Sequence, residues 1–105
     1  MIIEMRTYKI KHGMRAKFIE LFKAKAEPEH KRIGMKVLGP LLSVEDEDVF
    51  FWMRGFPDQK SREPMRDQFY EGKLWKNELE AEAMAMLEKY DVVLVEAPEN
   101  LWRWN

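Results

Sequence analysis

Val49-Phe50-Phe51-Trp52-Met53-Arg54-Gly55-Phe56 is the most apolar run in the chain, and it is apolar on both of its alternating faces. A strand of that kind belongs in the middle of a sheet, covered from two sides. Pro57-Asp58 ends it. Upstream, the acidic run Glu45-Asp46-Glu47-Asp48 reads as a hairpin loop leading back to another strand over residues 35–44, interrupted by Gly39-Pro40. Proline cannot donate to a ladder, so that strand is expected at a sheet edge or with a bulge.

Further out, residues 2–9 alternate with period two. Ile3, Met5 and Thr7 face one way and Glu4, Arg6 and Tyr8 the other, the mark of a strand whose faces differ in polarity. Lys11-His12-Gly13 turns the chain. From Met14 the period lengthens, and Met14, Phe18, Leu21, Phe22 and Ala26 form the apolar stripe of a helix. Pro28 is expected to kink or end this helix, because it removes a donor and crowds the preceding turn. Beyond the central strand, Ser61 is expected to cap a short helix with Pro64 in its first turn, where amide hydrogens lack partners inside the helix. This helix carries Met65, Phe69 and Tyr70 and stops at Gly72. A longer helix follows, with Leu74, Trp75, Leu79, Ala83, Met86, Leu87 and Tyr90 on one stripe. Residues 91–97 form the last strand, and Pro98 terminates it.

The element order is therefore β-α-β-β-α-β, an α+β ferredoxin-like arrangement and an antiparallel-sheet plait. Right-handed crossovers are expected to set strands one and three side by side and parallel in the middle, with strands two and four at the edges. Both helices then cover one face of the sheet, and nothing in the chain covers the other. A second copy is the economical cover, two sheets closing into a dimeric α+β barrel. The reading is one domain over residues 1–98 and a tail, 99–105, whose Trp102 and Trp104 pack on the domain or on a partner.

Composition sets the outer limits. At 105 residues, one domain is expected. Hydrophobic residues at 46% and charged residues at 35% fit a folded soluble domain rather than a disordered tail or a membrane protein. The six Phe, four Trp, three Tyr and eight Met exceed what so small a shell hides easily, which favours a homodimer or higher homo-oligomer. Charge arrives by the fourth residue, unlike a signal peptide, and with the absence of cysteine this suggests a cytoplasmic location. Zero cysteines also exclude disulfides, thiolate metal sites and a Cys nucleophile. Eighteen basic against nineteen acidic residues produce no field that draws nucleic acid, and no apolar stretch reaches the length of a membrane span.

Glu4-Met5-Arg6-Thr7-Tyr8 resembles the E-[LM]-R-T-Y opening of NIPSNAP-type proteins. The His12-Gly13 turn, Glu29-His30 followed by Gly34, the aromatic strand Phe51-Trp52-Met53-Arg54-Gly55-Phe56, Trp75, and Val93-Leu94-Val95-Glu96-Ala97-Pro98 extend the similarity from Met1 to Pro98. The resemblance implies a dimeric α+β barrel. Its superfamily contains cofactor-independent monooxygenases, haem-degrading and haem-peroxidase relatives, stress-responsive small proteins and members without assigned activity. It supplies no shared catalytic motif. Pro64 and the Trp-rich tail depart from the family pattern.

The residues themselves offer no metal motif. His12 and His30 have no second ligand at helical spacing, and no cofactor is expected. The resemblance admits His30 as an axial haem ligand, against a plain capping role near a helix end. The acidic run 45–48 lacks the spacing of a calcium loop. No nucleophile elbow or phosphate-binding loop is present. One constellation stands out: Arg6 and Tyr8 on strand one beside Trp52 and Arg54 on strand three, with Trp75 from the late helix. Such a set would orient an anionic or enolic small molecule in a mostly apolar pocket, and Tyr8 is the candidate catalytic proton carrier. The competing account pairs Arg6 with Glu4 or a partner carboxylate and gives Trp52 to the core. The function expected is an oligomeric small-molecule-binding or structural module. The alternative is a cofactor-independent oxygenase or isomerase acting on an aromatic or polyketide-like compound.

Overall fold

The computed structural model of the chain describes residues 1–100. Four strands, β1 (Ile2–Ile10), β2 (Lys36–Leu42), β3 (Val49–Phe56) and β4 (Leu87–Glu96), form one sheet in the order β2-β3-β1-β4. Strands one and three are the central neighbours, as expected, but they run antiparallel rather than parallel, Arg6 opposite Trp52 and Tyr8 opposite Phe50. The hairpin between β2 and β3 reverses the chain before β3 is laid beside β1, so it is β2, one strand further out, that shares the direction of β1. Every neighbouring pair is antiparallel, and the ferredoxin-like plait follows.

Gly39-Pro40 lies on the edge strand β2, where the register to β3 shifts between Leu38 and Leu41. The peptide bond there is cis. Gly39 has φ +112°, and an added Cβ would stand 3.1 Å from the Phe51 carbonyl oxygen and the Trp52 Cα. Only glycine fits both the turn and the approach.

The first helical segment runs from Arg15 to Ile33 as α1 (Arg15–Leu21), a π-helical turn (Phe22–Ala26) and α2 (Glu27–Ile33). Of the two outcomes expected at Pro28, a kink or an end, the second does not occur: the helical segment continues past it. The π turn shifts the ladder, the Glu27 amide bonding back to Phe22 O, so Pro28 falls in the opening turn of α2, where its missing donor matters least. Gly34, at φ +110°, closes the segment. The second helical region is α3 (Gln59–Tyr70), a second π turn (Trp75–Leu79) and α4 (Glu80–Met86). Its cap is Asp58 rather than Ser61: the Asp58 side chain accepts from the Ser61 amide at 2.8 Å, and helix starts two residues before Ser61. Pro64 consequently sits inside α3 instead of in its first turn, where it forfeits the bond to the Lys60 carbonyl. The last strand also begins earlier than its apolar run suggests. β4 pairs with the whole of β1 from Ile10↔Leu87 to Ile2↔Glu96, which moves Leu87 and Tyr90 from the helix to the sheet.

The core lies between the helices and one face of the sheet. Tyr8, Ile10, Phe50, Trp52 and Phe56 from the strands meet Phe18, Phe22, Phe69, Leu79, Ala83 and Met86 from the helical layer. Thus the more polar face of β1, carrying Glu4, Arg6 and Tyr8, is the one turned inward. On the opposite face Met5, Phe51 and Val93 remain exposed, Met5 standing between Met53 and Val93 in the register. No helix among the described residues is long and apolar enough to cross a membrane. The tail is described through Asn100; Leu101 to Asn105, with the two tryptophans expected to pack, lie outside the described residues.

Candidate functional site

Between the inward sheet face and the helical layer lies a cavity of about 370 Å³. Arg6 and Tyr8 of β1 and Trp52 of β3 form its floor. Phe18, Phe22 and Ala26 come from the first helical segment, and Phe69, Trp75, Leu79 and Ala83 from the second; exposed Met84 and Tyr90 stand at the rim. Both π turns contribute to this wall, Phe22 and Ala26 from one and Trp75 and Leu79 from the other. The wider turn rotates successive side chains off a single helical stripe and splays them across a concave surface.

Four of the five residues singled out in the sequence, Arg6, Tyr8, Trp52 and Trp75, line this cavity. The fifth, Arg54, is fully buried behind it. Tyr8 packs edge-on against Trp52 (ring centroids 5.9 Å apart), and the Arg6 guanidinium lies over the rings of Tyr8, Trp52 and Tyr90 at 5.4–5.6 Å.

Beneath the floor is an ionic cluster that the sequence reading only half anticipated. Glu4, with no exposed surface, accepts hydrogen bonds from Arg6 Nη1, from Arg54 Nε at 2.7 Å and from Arg62 Nε at 2.9 Å. Arg66 Nε stands 3.5 Å from the same carboxylate. Burial alone would raise the Glu4 carboxyl, but the charge and hydrogen bond of Arg54, helped by Arg6 and Arg62, hold its pKa below the ordinary value. Arg62 and Arg66 were missed. Their i, i+4 spacing puts them on one face of α3, and that spacing was the available signal.

His30 has both ring nitrogens engaged, Nδ1 at 2.6 Å from Ala26 O and Nε2 at 2.9 Å from Arg54 Nη1. A guanidinium only donates, so Nε2 is the bare acceptor and Nδ1–H donates to the carbonyl. Burial, reinforced by the Arg54 charge, lowers the His30 pKa to about 4 and keeps the ring neutral. Phe69 stacks on it with centroids 4.2 Å apart. This ring does not fit an axial haem ligand, since its acceptor nitrogen is already taken by Arg54 and one face is covered.

Tyr8 Oη accepts from Arg6 Nε at 3.1 Å, which leaves its own hydrogen to donate. Burial raises the phenol above its usual value, with Arg6 opposing, so Tyr8 keeps its proton. Elsewhere, His12, Glu47 and Asp48 bring ligand-type atoms within 4.8 Å of one another, but on an exposed turn. His12 and Asp48 form a surface pair at 3.1 Å.

The sequence matches the NIPSNAP family model over residues 3–98. The chain belongs to the NIPSNAP family. Solved structures share the fold. A NIPSNAP domain protein from Burkholderia xenovorans superposes with a TM-score of 0.82 at 17% identity, covering 94% of this chain and 96% of that one. A NIPSNAP family protein of Agrobacterium tumefaciens gives 0.81 at 16% identity, over 93% and 86% of the two chains. An antibiotic biosynthesis monooxygenase shares the fold at a TM-score of 0.67 and 14% identity, over 93% and 99%. No curated protein sequence matches. At these identities the likeness establishes the α+β ferredoxin-like fold of this NIPSNAP protein and assigns no activity.

Proposed function

We propose that this NIPSNAP protein is a cytoplasmic, homo-oligomeric small-molecule-binding module whose ligand enters the cavity between sheet and helices. The observation that carries the reading is the cavity itself. About 370 Å³ of space is walled by Phe18, Phe69, Trp75 and Leu79, with Arg6, Tyr8, His30 and Arg66 among its few polar groups and the exposed Glu80 also on the lining. A ligand pocket has this make-up, mostly apolar with a few placed polar groups, and the volume falls in the usual range of about 300–1,000 Å³. The partners envisaged are a second copy and a small molecule, not nucleic acid or a membrane.

The alternative, a cofactor-independent oxygenase or isomerase, would use Tyr8 as its proton donor. Glu4, Arg6, Arg54 and His30, ionisable groups beside or behind it, are held in hydrogen bonds to one another or to the phenol itself. That favours binding over turnover. A neutral, environment-sensitive dye such as N-phenyl-1-naphthylamine tests the reading. Saturable, one-per-chain fluorescence enhancement is expected for the wild type, with a large loss in Ala83→Phe, which fills the cavity, at a melting temperature within a few degrees. Absence of saturable binding would overturn it.

A further inference from the structure

The four arginines around Glu4 leave a charge imbalance. Arg6, Arg54, Arg62 and Arg66 find no other carboxylate within ion-pair distance among the described residues, and His30 beside them is neutral. Four positive charges therefore face one negative charge, with Arg6 and Arg54 almost wholly withdrawn from water. Unpaired buried charge is costly unless something compensates it. Two residues that line the cavity carry buried N–H groups without a hydrogen-bond partner, Trp52 Nε1 and Arg66 Nε, and Arg54 Nη2, behind the floor, is a third. Arg6, Trp52 and Arg66 all line the cavity. Tyr8, whose oxygen is occupied by Arg6 Nε, has only its hydrogen left to offer.

We propose that the cavity is built for an amphipathic organic anion, an apolar body ending in a carboxylate-type head that is received by Arg6, Arg66, Trp52 Nε1 and the Tyr8 hydroxyl. The inference rests on the small-molecule-binding reading and specifies its ligand class. The unpartnered groups named here all donate, so the ligand supplies acceptors, and four arginines set against Glu4 favour an anion, the one carboxylate on the lining, Glu80, being exposed. The remaining walls, Phe18, Phe69, Trp75, Leu79 and Ala83, accept a flat apolar body. A neutral ligand of the same shape would fill the apolar part and leave the orphaned donors as they are.

The test is a matched pair at pH 7, 2-naphthoate against 2-naphthalenemethanol, titrated calorimetrically into the full-length protein at low and high salt. The acid is expected to bind at least about tenfold tighter than the alcohol, tenfold being one charge-assisted hydrogen bond at about 1.4 kcal/mol. Its advantage should shrink at high salt while alcohol binding holds. Arg66→Gln, on a partly exposed helix face, should lower affinity for the acid by about tenfold and leave the alcohol unchanged. Equal binding of acid and alcohol in the wild type would overturn the anion proposal and leave the pocket reading standing. If neither compound binds, the pocket reading fails and the proposal falls with it. The wild-type comparison stands alone if the variant is unstable.

Discussion

Two side chains concentrate the energetics of the interior. Glu4 is the sole counter-ion, among the described residues, for the cluster of guanidinium groups behind the pocket floor. Glu4→Gln keeps the shape and removes the charge, so it should cost about 3–5 kcal/mol, the usual penalty for breaking one side of a buried pair. In urea denaturation this is a large fraction of a small domain's stability, and a loss below about 1 kcal/mol would contradict the buried cluster. His30 makes stability pH-dependent. Its pKa falls from an ordinary 6.5 to about 4 on folding, so between those values the unfolded chain binds the extra proton. Its contribution is complete above pH 6.5 and declines as pH drops towards 4, by roughly 3 kcal/mol at about 1.4 kcal/mol per pH unit. Glu4, with its lowered pKa, acts in the same direction but only below about 4.5, and the raised pKa of exposed His12 acts above 6.5 with the opposite sign. The slope between pH 6.5 and 4.5 is therefore mainly His30's, and His30→Gln, which retains an acceptor for Arg54, should flatten it. Arg6, Tyr8 and Trp52 could be placed together from the sequence because strand alternation fixes faces and adjacent central strands fix neighbours. The sequence offers Glu4 as a partner for Arg6, but the burial of Glu4 and of His30 was not legible, because period two reveals that a face is polar without revealing whether it points at helices or at water.

At the level of elements, glycine conformation separates two sites that look alike in sequence. Gly34 and Gly39 both have φ near +110°, but their surroundings differ. A Cβ on Gly34 meets only the end of the Met65 side chain at 3.2 Å, which can move, whereas on Gly39 it meets the β3 backbone, which cannot. Gly34→Ala should cost about 1–2 kcal/mol from backbone strain alone. Gly39→Ala should cost clearly more and disturb the β2–β3 pairing, visible as faster amide exchange at Leu38 and Leu41. Equal costs would show that the close approach is not limiting. Strand and helix identities were legible because each apolar period is unambiguous over its own segment. Boundaries were less so wherever a tertiary interaction outweighed local preference: the π turn that lets Pro28 pass, Asp58 displacing Ser61 as cap, and the full-length partner on β1 that draws Leu87 and Tyr90 into the sheet. The two π turns left no trace in the sequence, since the stripe Phe18, Phe22, Ala26 reads equally well as an ordinary helix.

For the whole molecule, the sheet separates two surfaces of different character. The cavity lies on the helix side, while Met5, Phe51 and Val93 occupy the far side, with Leu41 of the edge strand paired to Phe51 and exposed beside it. A sheet face of exposed Met, Phe, Val and Leu is costly to hydrate, and a second copy of the same face would cover it. Phe51 is the residue to change, because it is 41% exposed, sits on a central strand and takes no part in the core cluster. Phe51→Glu places a charge in the middle of the proposed contact without removing any interior packing. In sedimentation at micromolar concentration the wild type should run at about twice the 12.7 kDa chain mass and Phe51→Glu at the chain mass itself. Because the cavity lies on the opposite side of the sheet, the monomeric variant should still bind the neutral dye with near wild-type affinity. A wild type that stays monomeric would remove the case for assembly, and a variant that dissociates and loses the dye together would show that the pocket depends on the second copy.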